Sequence, residues 1–195
     1  MPITLNGSGT VSGISAGGLP DGIIQSADIA SGVIPAGGKI LQVVQTVKTD
    51  TASTSSQTEA DLITRTIQPT AASSKILIFV DLRMGSSSQS TDPQFMLYRD
   101  STKVYHGDTA GNRLTGFFGG DEFDSYNNAQ WLQKQVSANY LDTPSYSLGD
   151  TLTYKIKWRI VDTSHWLYLN RTGEDNNSAA YQRSASSLTA MEVAA

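Results

Sequence analysis

After Lys39 the chain alternates apolar and polar residues with period two, and each alternating run predicts a β-strand. The clearest run is Asp150 to Asp162, "DTLTYKIKWRIVD". Leu152, Tyr154, Ile156, Trp158 and Ile160 face one way, and Thr153, Lys155, Lys157 and Arg159 face the other. A strand of that kind has one buried and one wet face. "KILQVVQTVK" from Lys39 and "DLITRTIQP" from Asp61 follow the same rule, the second with Leu62, Thr64 and Thr66 opposite Ile63, Arg65 and Ile67. "KILIFVDLRM", Lys75 to Met84, begins apolar on both faces, which predicts a central strand covered on both sides.

The later segments extend the pattern. "QFMLYRDSTKVYHG" predicts a hairpin turning around Arg99 to Thr102. Ala129 to Asp142 fits helical spacing partly, through Leu132, Val136 and Tyr140, but its β neighbours favour a strand. "HWLYLNR" follows a short turn at Asp162 to Ser164, so it is expected to pair with the preceding strand as a hairpin. Trp158 and Trp166 would then sit on its two arms, and with Trp131 they are expected in the core. A last strand, "SSLTAMEVAA", sets Leu188, Ala190 and Glu192 opposite Thr189, Met191 and Val193. About nine or ten strands without long helices predict an all-β protein, an antiparallel β-sandwich or barrel, with the jelly roll the version that suits this length.

Residues 1–38 depart from this pattern. They are rich in Gly, Ser and Ala and hold no aromatic residue. Yet Leu5, Val11, Ile14, Leu19, Ile23, Ile24, Ile29, Val33 and Ile34 recur every few positions. Glycine makes such a segment costly to order alone. The spaced aliphatics are the expected assembly residues, filling an axis shared with other copies or a larger particle. Ser26 to Val33 fits one short helical turn, with Ser26 as cap and Gly32 as stop. The chain therefore divides into an extended N-terminal segment, 1–38, and a β-sandwich head, 39–195.

Composition narrows the function. The formal net charge is −4 and the basic residues are scattered, so no stripe exists for a phosphate backbone and nucleic acid is not an expected partner. The longest apolar run, "ILIFV", is too short for a membrane helix, and no membrane insertion is expected. Pro2 and a polar stretch follow Met1 without a basic region, so no signal peptide is expected. Cysteine is absent, which excludes disulfides and thiol chemistry.

Catalytic signatures are equally sparse. His106 and His165 fall in separate predicted hairpins without a second His at ligand spacing, and no Gly-x-Ser-x-Gly elbow appears. Carboxylates cluster in two loops: Asp121, Glu122 and Asp124 in "GGDEFDSYNN", and Glu174 and Asp175 in "RTGEDNN". Neither follows the EF-hand pattern, and turn residues in solvent explain them. Ca²⁺ is the ion they would suit if one bound. Asp121, Phe123, Tyr126, Asn127 and Asn128 in one loop, with Tyr181 in another, supply the aromatic and polar mixture that contacts a glycan. No cofactor and no enzyme activity are expected.

Several phrases carry a family resemblance. "ITLNGSGTVSGISAGGLPDGIIQSADIASGV" resembles the N-terminal segments of bacteriophage tail-fibre and other virion structural proteins. "KILQVVQTVKTDT", "PTAASSKILIFVDLRM", "GDTAGNR" and "SASSLTAMEVAA" resemble a C-terminal module of phages of aquatic bacteria, cyanophages among them. The resemblance implies a homotrimer located in the virion and assembled in the host cytoplasm, with a β-sandwich head and a thin attachment segment. Its implied partners are other copies of itself, tail or capsid subunits, and a host-surface glycan. Two roles follow as expectations: host-surface attachment by a tail fibre or appendage, or capsid decoration by a cement protein that stabilises the phage head.

Overall fold

The structure is a computed structural model that describes residues 4–5, 11–12, 38–88, 92–119 and 129–195. The chain divides into Met1–Ala36 and Gly37–Ala195. In the first unit β1 (Thr4–Leu5) pairs antiparallel with β2 (Val11–Ser12), which places Leu5 opposite Val11 in register. The other seven aliphatic positions named above, and the turn expected from Ser26, lie outside the described residues.

The second unit is all-β apart from one 3₁₀ turn among the described residues. Its strands are β3 (Ile40–Lys48), β4 (Ala52–Thr54), β5 (Ala60–Ile67), β6 (Lys75–Ser86), β7 (Pro93–Arg99), β8 (Thr102–Tyr105) and β9 (Phe118–Gly119). The 3₁₀ turn Ala129–Trp131 precedes β10 (Lys134–Asp142), β11 (Leu152–Ile160), β12 (Leu167–Leu169) and β13 (Ser186–Val193).

These strands form two antiparallel sheets. The first runs β3–β13–β6–β10, with β12 continuing the line of β13 along β6 and β4 pairing β12. The second runs β5–β11–β7–β8, with β9 beside β7. Inward residues of both sheets share one core. Ile76, Ile78, Leu82 and Met84 of β6 and Tyr154, Ile156 and Ile160 of β11 are fully buried in it. The strict alternation of β11 therefore reads as expected. So do the turn at Asp100, where φ is 54°, and the faces of β13.

Three expectations are corrected. β12 does not form a hairpin with β11: it pairs with β4 and β6 in the first sheet, while β11 lies between β5 and β7 in the second. The connection carries the chain from one sheet to the other, and its turn chemistry does not distinguish such a crossing from a hairpin. Trp158 is core at 3% exposure, but Trp131 and Trp166 are 49% and 45% exposed, because one ends the 3₁₀ turn and the other lies in that crossing. β6 is central, as its apolar run predicts, but only its inner face is covered. On the outside Phe79 is 41% exposed.

That outer face is laid out in rows by the register. Val43, Met191, Leu77 and Leu141 follow one another across β3, β13, β6 and β10. The next row is Gln45, Thr189, Phe79 and Asn139. The outer face of the second sheet is charged instead. Lys155 and Lys157 reach Asp61 at 3.4 and 3.5 Å, Lys103 reaches Glu59 at 3.7 Å, and Tyr98 donates its hydroxyl hydrogen to Glu59 at 2.7 Å.

Buried polar groups fasten the ends of the sandwich. Gln42, Glu192, Ile76 and Asp142 share one inward row of the first sheet. Asp142 accepts hydrogen bonds from Arg99 at 2.5 Å and Tyr154 at 2.6 Å, tying this sheet to the second. Glu192 accepts from the Gln42 amide, the Thr70 hydroxyl and the backbone N–H groups of Thr70 and Ala71, all within 3.0 Å. At the other end Asn170, with φ of 58°, donates to the carbonyls of Lys48 and Asp50 and accepts from Ser186. Asparagine tolerates that backbone better than most residues, and its amide suits the three partners.

Candidate binding groove

β10 is an edge strand, and the turn that leads into it stands against the long loop between β12 and β13. The loop lies close because Gly173 has no side chain. A Cβ there would come within 2.2 Å of the Ser86 carbonyl oxygen and 2.9 Å of the Gln130 Cα. The Glu174 N–H donates to the Gln130 carbonyl at 2.8 Å. The Gln133 amide donates to the Gln182 carbonyl at 2.7 Å, and the Ser184 hydroxyl donates to Gln133 at 2.5 Å. The Thr172 hydroxyl closes the loop on the Glu174 carbonyl.

Between turn and loop lies an open groove of about 170 Å³, lined by Trp131, Leu132, Gln133, Thr172, Ala180 and Gln182. Its apolar wall is the exposed Trp131 ring beside Leu132, itself 43% exposed. The loop adds charge and amides. Asp175 bridges Arg183 at 2.6 Å and Arg171 at 3.7 Å, and Asn176 donates to Glu174 at 3.0 Å. Arg171 lies over the Tyr168 ring, 3.8 Å from its centroid. A flat apolar ring beside fixed hydrogen-bonding groups suits a ligand with one apolar face and a polar edge. A sugar ring is built that way.

A larger cleft of about 640 Å³ lies beside the second sheet, lined by Gln94 and residues 113–119. The Arg113 guanidinium and the half-exposed Phe118 ring offer the same mixture there.

Of the residues expected to touch a glycan, Tyr181 is the one described; it stands in sequence between the lining residues Ala180 and Gln182 but does not itself line the groove. It is half-buried, and its N–H donates to the Ser178 carbonyl at 3.1 Å. Asp121, Phe123, Tyr126, Asn127 and Asn128 lie outside the described residues. The residue that sequence reasoning missed is Trp131. Its polar neighbours Gln130 and Gln133 were the available signal, since a core tryptophan sits more often among apolar positions. His106 touches the Gly107 carbonyl at 2.8 Å, and His165 lies 3.6 Å from Asp162. Among the described residues no three His, Asp or Glu side chains gather as a metal site requires. No helix among them is long and apolar enough to cross a membrane.

No protein-family profile matches the chain, and no curated protein matches it.

Proposed function

We propose that the chain is a virion structural protein: a trimeric tail-fibre or appendage protein that contributes to attachment to host-surface polysaccharide. The resemblance of its phrases to phage virion proteins supports the class. The strand order supports reading the head as a jelly roll. Apart from the three-residue β4, the strands β3, β5, β6 and β7 alternate between the sheets, and the orders β3–β13–β6–β10 and β5–β11–β7–β8 fit that topology. The observation that carries attachment is the groove at Trp131, an exposed indole held on a hydrogen-bonded turn beside a polar loop. One such site binds a sugar weakly; three on one trimer, repeated over a particle, hold by avidity.

Cell-binding assays with the full chain test this reading. Binding to host cells should be competed by their isolated surface polysaccharide, and Trp131→Ala should reduce it at least about tenfold, the loss expected for a stacking contact of roughly 1.5 kcal/mol. Binding unaffected by polysaccharide and by Trp131→Ala would remove the attachment role. The alternative is a trimeric capsid decoration protein that stabilises the phage head. The resemblance of its phrases to phage virion proteins supports that role as well. Cryo-electron microscopy of the particle separates the two by placing the chain on tail or head.

A further inference from the structure

We propose that the outer face of the β3–β13–β6–β10 sheet is the surface through which copies of this chain contact one another. The inference rests on reading the chain as an assembled protein, and names the surface and the partner.

The face has the anatomy of an interface. Its centre is the apolar row Val43, Met191, Leu77 and Leu141, with Phe79 beside it. Val43 is 55% exposed and Leu141 46%, although both stand in regular strands with intact ladders. Around them are uncharged polar groups, and the Gln45 amide already donates to Thr189 at 2.7 Å. The charges that β6 adds are Lys75 at one end and, in the rows beyond Phe79, Asp81 and Arg83, which pair with each other at 3.3 Å. An apolar centre depleted of charge within a polar rim is how protein interfaces are built, and contacts between identical subunits are the more apolar kind.

Size and charge select the occupant. Four strands about 4.8 Å apart and nine residues long make a face of roughly 600 Å² before side-chain relief, close to the roughly 800 Å² that each partner gives a stable interface. A face with little net charge packs against a neighbouring copy in a ring of three without setting like charges against each other. The second sheet fails that condition, because Lys103, Lys155, Lys157 and Arg159 would bring an excess of positive charge into the contact. Self-contact therefore falls to the first sheet.

The test uses the full chain in solution at micromolar concentration. Light scattering should give a mass above one copy. Phe79→Glu combined with Leu141→Glu should lower it towards one copy, while Lys155→Glu on the other sheet leaves it unchanged. The chain has no cysteine, so Val43→Cys and Lys155→Cys each carry a single spin label. Labels at Val43 should couple between copies, and labels at Lys155 should not. The Val43 label decides the matter if the double variant fails to fold. A monomeric chain overturns the inference, and an immobilised Val43 label in that monomer would assign the face to residues 1–36 instead. An oligomer without coupling at Val43, or a folded double variant that keeps its full mass, overturns it equally. If the face fills only on the particle, the occupant is another virion protein and the inference again fails. Finding the chain on particles although it is monomeric in solution sinks this inference and leaves the virion role standing. Coupled labels in a protein absent from particles do the reverse.

Discussion

β6 and β11 are the inner strands of their sheets, and inwardly they are alike. Ile76, Ile78 and Leu82 on one and Tyr154, Ile156 and Ile160 on the other are all fully buried. Outwardly they differ. β11 presents Lys155, Lys157 and Arg159, with the Asp61 carboxylate within reach of both lysines, whereas β6 presents Leu77 and Phe79, with leucine, valine and methionine alongside, between Lys75 and the Asp81–Arg83 pair. The inner face of a strand records the core of its own chain. The outer face is free of that demand: on β11 it is charged and wetted, on β6 it is left largely apolar and exposed.

The largest test of this comparison asks whether the inner faces are equivalent. Ile78→Ala and Ile156→Ala each remove buried methyl groups from the same core, so each should cost about 2–5 kcal/mol. Urea unfolding followed by tryptophan fluorescence measures both. A cost below about 1 kcal/mol at either position would mean that its sheet does not close on the shared core.

A second test separates the sheets by acid. Burial raises the pKa of the Glu192 carboxyl, but the hydrogen bonds from Gln42, Thr70 and Ala71 outweigh it and bring the group down to about 2, from 4.5. Its folded pKa lies below its unfolded one, so the stabilisation is complete above the unfolded value and is lost as pH falls from about 5 towards 2. The shift corresponds to at most about 3 kcal/mol. Unfolding free energy measured across that range should fall accordingly, and Glu192→Gln should flatten the profile. A profile unchanged in Glu192→Gln would place the acid sensitivity elsewhere. On the second sheet the effect appears only in alkali. Burial, and then Glu59, push the Tyr98 phenol up to about 12. Its contribution is therefore present at neutral pH and is lost as pH rises from about 10 to 12.

The legible parts of the fold were those that a strand carries within itself. β11 and β13 revealed their faces because a buried face repeats every second residue. β6 reveals its central place because its first half is apolar on both faces, although that signal does not say whether the outer face is covered. The partners of β12 were illegible. Three residues, Leu167 to Leu169, carry no register, and the edge of β6 they join was formed by strand order far away in sequence. The buried acids were illegible for the same reason. Glu192 was placed on the correct face of β13, but its donors come from Gln42 and the turn at Thr70 and Ala71. The groove is not legible. Residue type alone assigns Trp131 to the core, and only its place on the turn before an edge strand explains its exposure, while Tyr181, the described one of the loop residues that the sequence offers for a glycan, does not line the groove.

The smallest expected effect sharpens the comparison most, because it isolates the outer faces. Lys157 lies 3.5 Å from Asp61 and 5.0 Å from the Tyr98 ring centroid, on a partly wetted surface. Lys157→Ala should therefore cost about 1 kcal/mol or less, and the same amount at every protein concentration. Phe79→Ser should behave differently. In dilute solution it too should change stability little, because the ring is 41% exposed and the inner face of β6 is untouched. At higher concentration the wild-type thermal midpoint should climb, since association stabilises the folded chain by mass action, and Phe79→Ser should abolish that climb while Lys157→Ala preserves it. If the wild-type midpoint is independent of concentration, the apolar outer face contributes nothing between copies, and the contrast between the two sheets must have another cause.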